Sequence, residues 1–372
     1  MQQMMMVAVV MARTLAARPP RVQKFSRAPE GSARRGQLGP VPARAGQITS
    51  ARSLRCHLFT SKFFFMDERL NPPIRSFDAV RTLAEAQGGF VHDLDAHVLA
   101  YLPGQGEAAG TLVITFGNLS TSREAGERFP WAHALVAKQG WSILGVINNT
   151  NDWFRAGNLH RALERLSAQG FFAGFDRICV YGSSMGGFGA LTFAPLFPKS
   201  HAVVFAPQST LDRRRASFET RYRFARRNND WLGQWSDAAE GVRALRSGYL
   251  IYDPFEPLDA AHVDRLKTPA LTPVKLRHFG HIIPPRLRVM GLLKPLALGA
   301  LRGELESKDV RRLLSERKDS VLYVSRMLDT ALQRGHYRTG MRAADKALQT
   351  NTNWKIKAAR RNFRDALKAD RT

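Results

Sequence analysis

A short apolar run that collides with glycine and serine constrains this chain more than any other feature. It is RICVYGSSMGGFGAL, residues 177 to 191. Ile178, Cys179, Val180 and Tyr181 read as a strand buried on both faces. Phe188, Ala190, Leu191 and Phe193 suit a helix that packs back on that strand. Gly182-Ser183-Ser184-Met185-Gly186 must turn the chain between them. A serine at the apex of so tight a turn sits where bulky neighbours would clash, and glycines on both flanks relieve the clash. The pattern is G-x-S-x-G with Ser184 at its centre. Such a turn lifts the hydroxyl above the sheet and lets the N–H of Met185 point at an oxyanion.

The surrounding pattern supplies the scaffold for such a turn. GFVHDLDAHVLAYLP alternates up to Pro103 and suits a first strand pair, and GTLVITFGN is a buried strand. RFPWAHALVAKQG predicts an amphipathic helix closed by Gly140, followed by the strand WSILGVIN and the helix NLHRALERLSAQGF. HAVVFAP and GYLIYDP are two more strands. Strands alternating with helices predict an α/β fold: a mostly parallel sheet with helices on both faces. Residues 208–247 interrupt the alternation. They are arginine-rich and helical in tone, suiting either a small lid over the strand ends or a solvated surface helix.

Three segments are expected: a basic leader at 1–65, an α/β domain at 66–302, and a basic helical extension at 303–372. Within the extension, MLDTALQRGHYRTGMRAADKALQTN resembles one tetratricopeptide-type hairpin, with Gly335, Tyr337, Ala344 and Ala347 near the expected places. One repeat cannot bury its own face, so it must dock on the core or on a protein partner. The leader carries Glu30 as its single acid among many arginines. It should be disordered, and suits either an organellar transit peptide or a start codon placed upstream of Met66. Its apolar run MMMVAVVMA is too short to span a bilayer, and no transmembrane segment is expected.

Charge and cysteine content narrow the function classes. The net charge of +25 invites a nucleic-acid reading, but no zinc-finger spacing, aromatic RNA-binding motif or helix-turn-helix accompanies it, so no specific nucleic-acid partner is expected. Two cysteines, Cys56 and Cys179, make no disulfide framework and no metal site. Cys179 reads as a small buried hydrophobe. This fits a reducing, cytoplasmic setting, and no cofactor is expected.

A serine on such a turn needs a base, an orienting acid and oxyanion donors. His281, in the Gly-His loop of LRHFGHIIPPRL, is the base, with His278 in reserve. Imidazole suits the task because it takes and returns a proton near neutral pH. Three carboxylates compete for the orienting place: Asp253 at a strand end, Glu256, and Asp259, which also suits a helix cap. Asp253, closest to the sheet edge, is favoured. The oxyanion donors are the N–H groups of Met185 and of Asn118, in the turn after TLVITF. Arg213, Arg214, Arg215, Arg221 and Arg223 would favour an anionic substrate.

With YGSSMGGFGA, TFGN, YDPFEPLD and FGH in this order, residues 90 to 298 resemble the α/β-hydrolase superfamily. The resemblance implies a Ser-His-acid site that attacks an acyl carbon and forms an acyl-enzyme. It departs from the family in two places: no His-Gly motif precedes Asn118, and Tyr-Asp-Pro-Phe-Glu replaces the usual Gly-x-x-Asp. The expectation is a serine hydrolase on a small ester or thioester, or an acyltransferase with the same site. The alternative is a non-catalytic module of the same fold that binds an anionic polysaccharide or phospholipid.

Overall fold

The computed structural model describes residues 75–370. The expectations for 1–65, including Cys56 and the Met66 start, lie outside the described residues. Eight strands form the main sheet: β1 (Phe90–Asp93), β2 (His97–Leu102), β3 (Thr111–Phe116), β4 (Ser142–Asn148), β5 (Arg177–Ser183), β6 (His201–Phe205), β7 (Ser247–Tyr252) and β8 (Leu271–Lys275). Their order across the sheet is β1-β2-β4-β3-β5-β6-β7-β8. β2 runs antiparallel to both β1 and β4, and every other neighbour pair is parallel.

β2, β4 and β6 are buried along their whole length, and β3, β5 and β7 nearly so. They are the runs rich in Val, Ile, Leu, Tyr and Phe, as burial on both faces requires. β8 was not among the strands expected from the sequence. Only Leu271, Pro273 as a neighbour of Leu250, and Val274 mark it, with Leu271 and Val274 turned inward. Pro273 is tolerated because β8 is the sheet edge, where a ladder donor can be spared.

The helices are α1 (Asp78–Gln87), α2 (His133–Ala137), α3 (Gly157–Ala168), α4 (Met185–Thr192), α5 (Arg223–Asn228), α6 (Ala238–Gly241), α7 (Pro257–Leu266), α8 (Ile283–Val289), α9 (Leu293–Arg302), α10 (Ser307–Ser315), α11 (Val321–Gln333), α12 (Tyr337–Thr350) and α13 (Trp354–Ala369). α3 buries Leu159, Leu163 and Leu166, one stripe at helical spacing. α2 is much shorter than the expected helix over 128–140. Pro130 cannot lie inside a helix, and Ala132 takes a left-handed φ of 63° just before the first turn.

The segment 208–247 is less helical than its composition suggests. Only the short α5 and α6 are α-helical, and tethers hold the rest. Arg155 donates to the carbonyls of Asp230, Leu232, Gln234 and Trp235, while Trp235 Nε1 donates to Glu164 at 2.9 Å. One guanidinium thus satisfies four loop carbonyls that no ladder reaches.

The C-terminal helices share the apolar core of the sheet. Tyr323, Val324 and Leu328 of α11, Ala344 of α12, and Ile356 and Phe363 of α13 belong to the same buried cluster as Tyr181, Phe205 and Ile251. The hairpin of α11 and α12 therefore covers its apolar face within the chain. No helix among the described residues is long and apolar enough to cross a membrane.

Candidate active site

β5 runs into the elbow, and Ser184 sits at its apex with φ 55° and ψ −118°, between the end of β5 and the start of α4. That backbone region is costly for a residue with a Cβ, and the neighbours hold it there. Ser184 N–H donates to Phe205 O at 2.8 Å, and its carbonyl accepts from Phe188 N–H at 3.0 Å. The flanking glycines are sterically required. A Cβ on Gly182 would lie 2.2 Å from Gly186 O, and one on Gly186 would lie 2.4 Å from Phe116 O. Ser183 is buried as the last residue of β5, whereas Ser184 alone of residues 178–194 is partly exposed.

His281 reaches over the sheet edge to this hydroxyl. Its Nε2 lies 3.0 Å from Ser184 Oγ. On the other side of the ring, Nδ1 lies 2.9 Å from Asp259 Oδ2 and 3.0 Å from Oδ1. Asp259 is fully buried. Burial alone would raise its pKa, but the hydrogen bond and charge of His281, with the Arg221 guanidinium, outweigh that and hold it below the ordinary carboxylate value. The three groups form one line: a partly exposed hydroxyl, an imidazole and a buried carboxylate.

The carboxylate that meets His281 Nδ1 is therefore Asp259, not Asp253, which the sequence reading favoured. Asp253 is committed to backbone donors, accepting from Phe255 N–H at 2.9 Å and Gly280 N–H at 2.6 Å. It pins the residue just before His281 and so positions the loop, not the ring. Glu256 pairs with Arg326 of α11 at 2.7 Å. Asp259 is no helix cap either: the cap position is Glu256, and Asp259 lies inside the first turn of α7. One signal for it was present in the sequence. Asp259, His262, Val263 and Leu266 form a buried stripe at i, i+3, i+4 and i+7, and a carboxylate on a core stripe requires a partner. His278, the reserve base, packs instead against Phe255 and Tyr323.

Of the two backbone amides expected to serve as oxyanion donors, one is engaged elsewhere. Met185 opens α4, where the first amide groups have no acceptor within the helix. Asn118 N–H is already taken by Thr121 Oγ1 at 2.8 Å, and its side chain caps the same turn by accepting from Ser120 N–H at 2.9 Å. It is a turn former.

Four residues around the site come from the 208–247 segment: Gln208, Glu219 and Tyr222, which escaped sequence reasoning, and Arg221, which was expected to face an anionic substrate and instead pairs with carboxylates. Gln208 Oε1 lies 3.2 Å from Ser184 Oγ. The Tyr222 hydroxyl lies 3.3 Å from His281 Nε2 and 3.4 Å from Gln208 Nε2, with its ring against Trp153 and Arg221. Burial pushes the Tyr222 pKa up to about 12, so the hydroxyl keeps its proton at neutral pH. Arg221 spans two buried carboxylates: Nη1 to Asp259 at 2.7 Å and Nη2 to Glu219 at 2.7 Å. Behind Glu219, the His262 Nε2–Glu219 Oε2 distance is 3.0 Å, and His262 Nδ1 faces Ser209 Oγ at 2.9 Å. No local motif announces these contacts, because they join residues up to 69 positions apart.

The strand order, a strand–serine–helix elbow, and a histidine from the loop after the last strand now stand together. This is an α/β-hydrolase fold. No family model and no curated protein matches the chain. Among solved structures, carboxyl esterase 2 of Tuber melanosporum aligns at 12% identity and TM-score 0.44, over 63% of this chain and 91% of that one. Esterase LipW of Mycobacterium marinum aligns at 15% identity and TM-score 0.40, over 63% and 86%. The capsule O-acetyltransferase of Neisseria meningitidis serogroup A aligns at 13% identity and TM-score 0.39, over 59% and 100%. Among the described residues, no group of three or more His, Cys, Asp or Glu side chains is arranged to hold a metal.

Proposed function

We propose that the protein is a serine hydrolase or acyltransferase that acts on an ester or thioester through an acyl-enzyme on Ser184. The observation that carries this reading is the unbroken line from Ser184 Oγ through His281 to Asp259, at 3.0 and 2.9 Å, with the serine end partly open and the carboxylate end sealed. His281 Nε2 takes the serine proton as Oγ attacks the acyl carbon, then gives it to the leaving group. Asp259, ionised and buried, holds the imidazole in the tautomer with Nδ1–H and stabilises the imidazolium. Met185 N–H and the protonated Tyr222 hydroxyl are the donors assigned to the developing oxyanion. Water or an alcohol then attacks the acyl-serine in the reverse sequence, which makes the enzyme a hydrolase or a transferase.

Stopped-flow hydrolysis of p-nitrophenyl acetate tests this. An initial burst of nitrophenolate, followed by slower turnover, is expected from the wild type and absent from Ser184→Ala. Equal burst and turnover in both proteins would rule the reading out.

A further inference from the structure

Arg213, Arg223, Arg226 and Arg227 line a cavity of about 450 Å³, together with Ser217 and Thr220. The same segment contains Arg214, Arg215 and Arg221, which the sequence had counted as part of an anion-attracting face. Each of those three meets a carboxylate: Asp212 at 2.7 Å, Asp237 at 3.0 Å and Glu219 at 2.7 Å respectively. No ion pair forms at the four cavity arginines among the described residues. The segment thus sorts its arginines into neutralised ones that build structure and uncompensated ones that converge on one cavity.

Arg226 is also preorganised. Its Nε and Nη2 donate to the carbonyls of Leu211 and Ala216, both at 3.2 Å. Burial, and then the neighbouring charge of Arg213, disfavour its protonated form, and Glu219 and Asp212 offset this only in part. Four guanidinium groups with no described carboxylate in ion-pair contact make this solvent-open concavity electropositive, and an anion of several charges offsets their mutual repulsion. Guanidinium groups with hydroxyl donors between them suit phosphate oxygens. The cavity also adjoins the reaction site along the chain. Thr220 and Arg223 bracket Arg221 and Tyr222, whose side chains reach Asp259 and His281.

We propose that this cavity binds the phosphate groups of the acyl-bearing substrate, so that the substrate class is a phosphate-carrying thioester of the coenzyme A type. This rests on the acyl-transfer reading above. In the first half-reaction the Ser184 Oγ–acyl bond forms and the acyl C–S bond breaks. The serine proton passes through His281 to the departing sulfur, which leaves as a thiol.

Two measurements on the full chain test the assignment. Calorimetric titration of inorganic pyrophosphate into Ser184→Ala protein reads the anion site without any catalysis. Adding Arg223→Gln and Arg227→Gln, both at exposed positions, should weaken binding by about tenfold or more. Unchanged pyrophosphate affinity overturns the site. Arg213→Glu, checked by its melting temperature, gives a second variant should the double substitution fold poorly. The other measurement compares kcat/KM on acetyl-coenzyme A and on neutral p-nitrophenyl acetate, with Ser184 intact. The double variant should lower the ratio of the first to the second by about tenfold, through KM for the thioester. An unchanged ratio beside lost pyrophosphate binding overturns the substrate assignment and leaves a site for free polyphosphate. Loss of pyrophosphate binding in the variant, from a wild type that cleaves neither ester, upholds the anion site and rejects the acyl-transfer reading instead.

Discussion

Two serine–histidine–carboxylate alignments stand side by side in this molecule, linked by one arginine. In the first, Ser184 meets His281 Nε2, and His281 Nδ1 meets Asp259. In the second, Ser209 meets His262 Nδ1, and His262 Nε2 meets Glu219. Arg221 joins the two carboxylates. The residue types are the same, and the difference is access and the direction of the hydrogen bonds. Ser209, His262 and Glu219 are all fully buried. The Ser209 hydroxyl is also occupied, since it accepts from Arg265 Nη1 at 2.6 Å. Burial, followed by the opposing influence of Glu219, leaves the His262 pKa below its ordinary value. The second alignment is therefore a sealed structural network, and the first is open to a substrate. A Ser-His-acid pattern acquires chemistry from where its hydroxyl ends.

Substituting the two serines should give the sharpest contrast. Ser184→Ala should lower kcat by about four to six orders of magnitude on an activated ester, because the nucleophile is gone. Ser209→Ala should leave kcat within about tenfold and instead destabilise the fold by about 1–3 kcal/mol, since His262 and Arg265 lose a buried partner. Kinetics and thermal unfolding of the two variants give both numbers. A collapse of turnover in Ser209→Ala with a normal melting curve would merge the two alignments into one site.

The carboxylates divide in the same way. Asp259→Asn should reduce kcat by about 10⁴-fold with little change in KM, because the amide favours the wrong imidazole tautomer. Asp253→Asn should show itself first as lost stability, through the backbone donors of Phe255 and Gly280. Measured kcat losses in the reverse order would return the acid to Asp253. A smaller effect is expected at Tyr222. Tyr222→Phe removes one oxyanion donor and should lower kcat by about 10²-fold at nearly constant KM. If KM rises and kcat holds, the hydroxyl binds substrate rather than the oxyanion.

The effect smallest on catalysis is on acid stability. The Glu219 pKa is lowered from 4.5 to about 2: burial pushes it up, and the hydrogen bond from His262 and the Arg221 guanidinium outweigh burial. A depressed folded-state pKa means that the unfolded chain binds the proton first. The stability this group contributes is therefore fully present above about pH 4.5 and is lost as pH falls towards 2. Glu219→Gln should cost about 1–3 kcal/mol at neutral pH by leaving a partly exposed guanidinium short of one partner. It should also flatten the unfolding profile in that acid window. An unchanged acid slope would show that Glu219 is not the titrating group.

The elbow was legible in the sequence because its constraints are local. Gly182, Ser184 and Gly186 lie within five residues, and strand and helix patterns flank them. The parallel sheet followed from the same periodicities, except for β8, whose Pro273 hides an edge strand. His281 could be placed by chain order and its Gly-His loop. Asp259 could not be separated from Asp253 and Glu256, because all three fall within seven residues and only packing decides which faces the imidazole. The Tyr222, Arg221 and Gln208 contacts were out of reach. They arise from an irregular segment whose path is fixed by side chain-to-carbonyl bonds such as those of Arg155. Composition also misled on charge, since it counts Arg214 and Arg227 alike, and among the described residues only Arg214 has a carboxylate partner.

The most direct measurement is covalent labelling of the wild-type chain with a fluorophosphonate, followed by peptide mass spectrometry. One adduct is expected, on Ser184 in the peptide that carries GSSMGG, with Ser209 unmodified and labelling abolished in Ser184→Ala. An adduct on Ser183 or Ser209, or undiminished labelling of Ser184→Ala, would contradict the account.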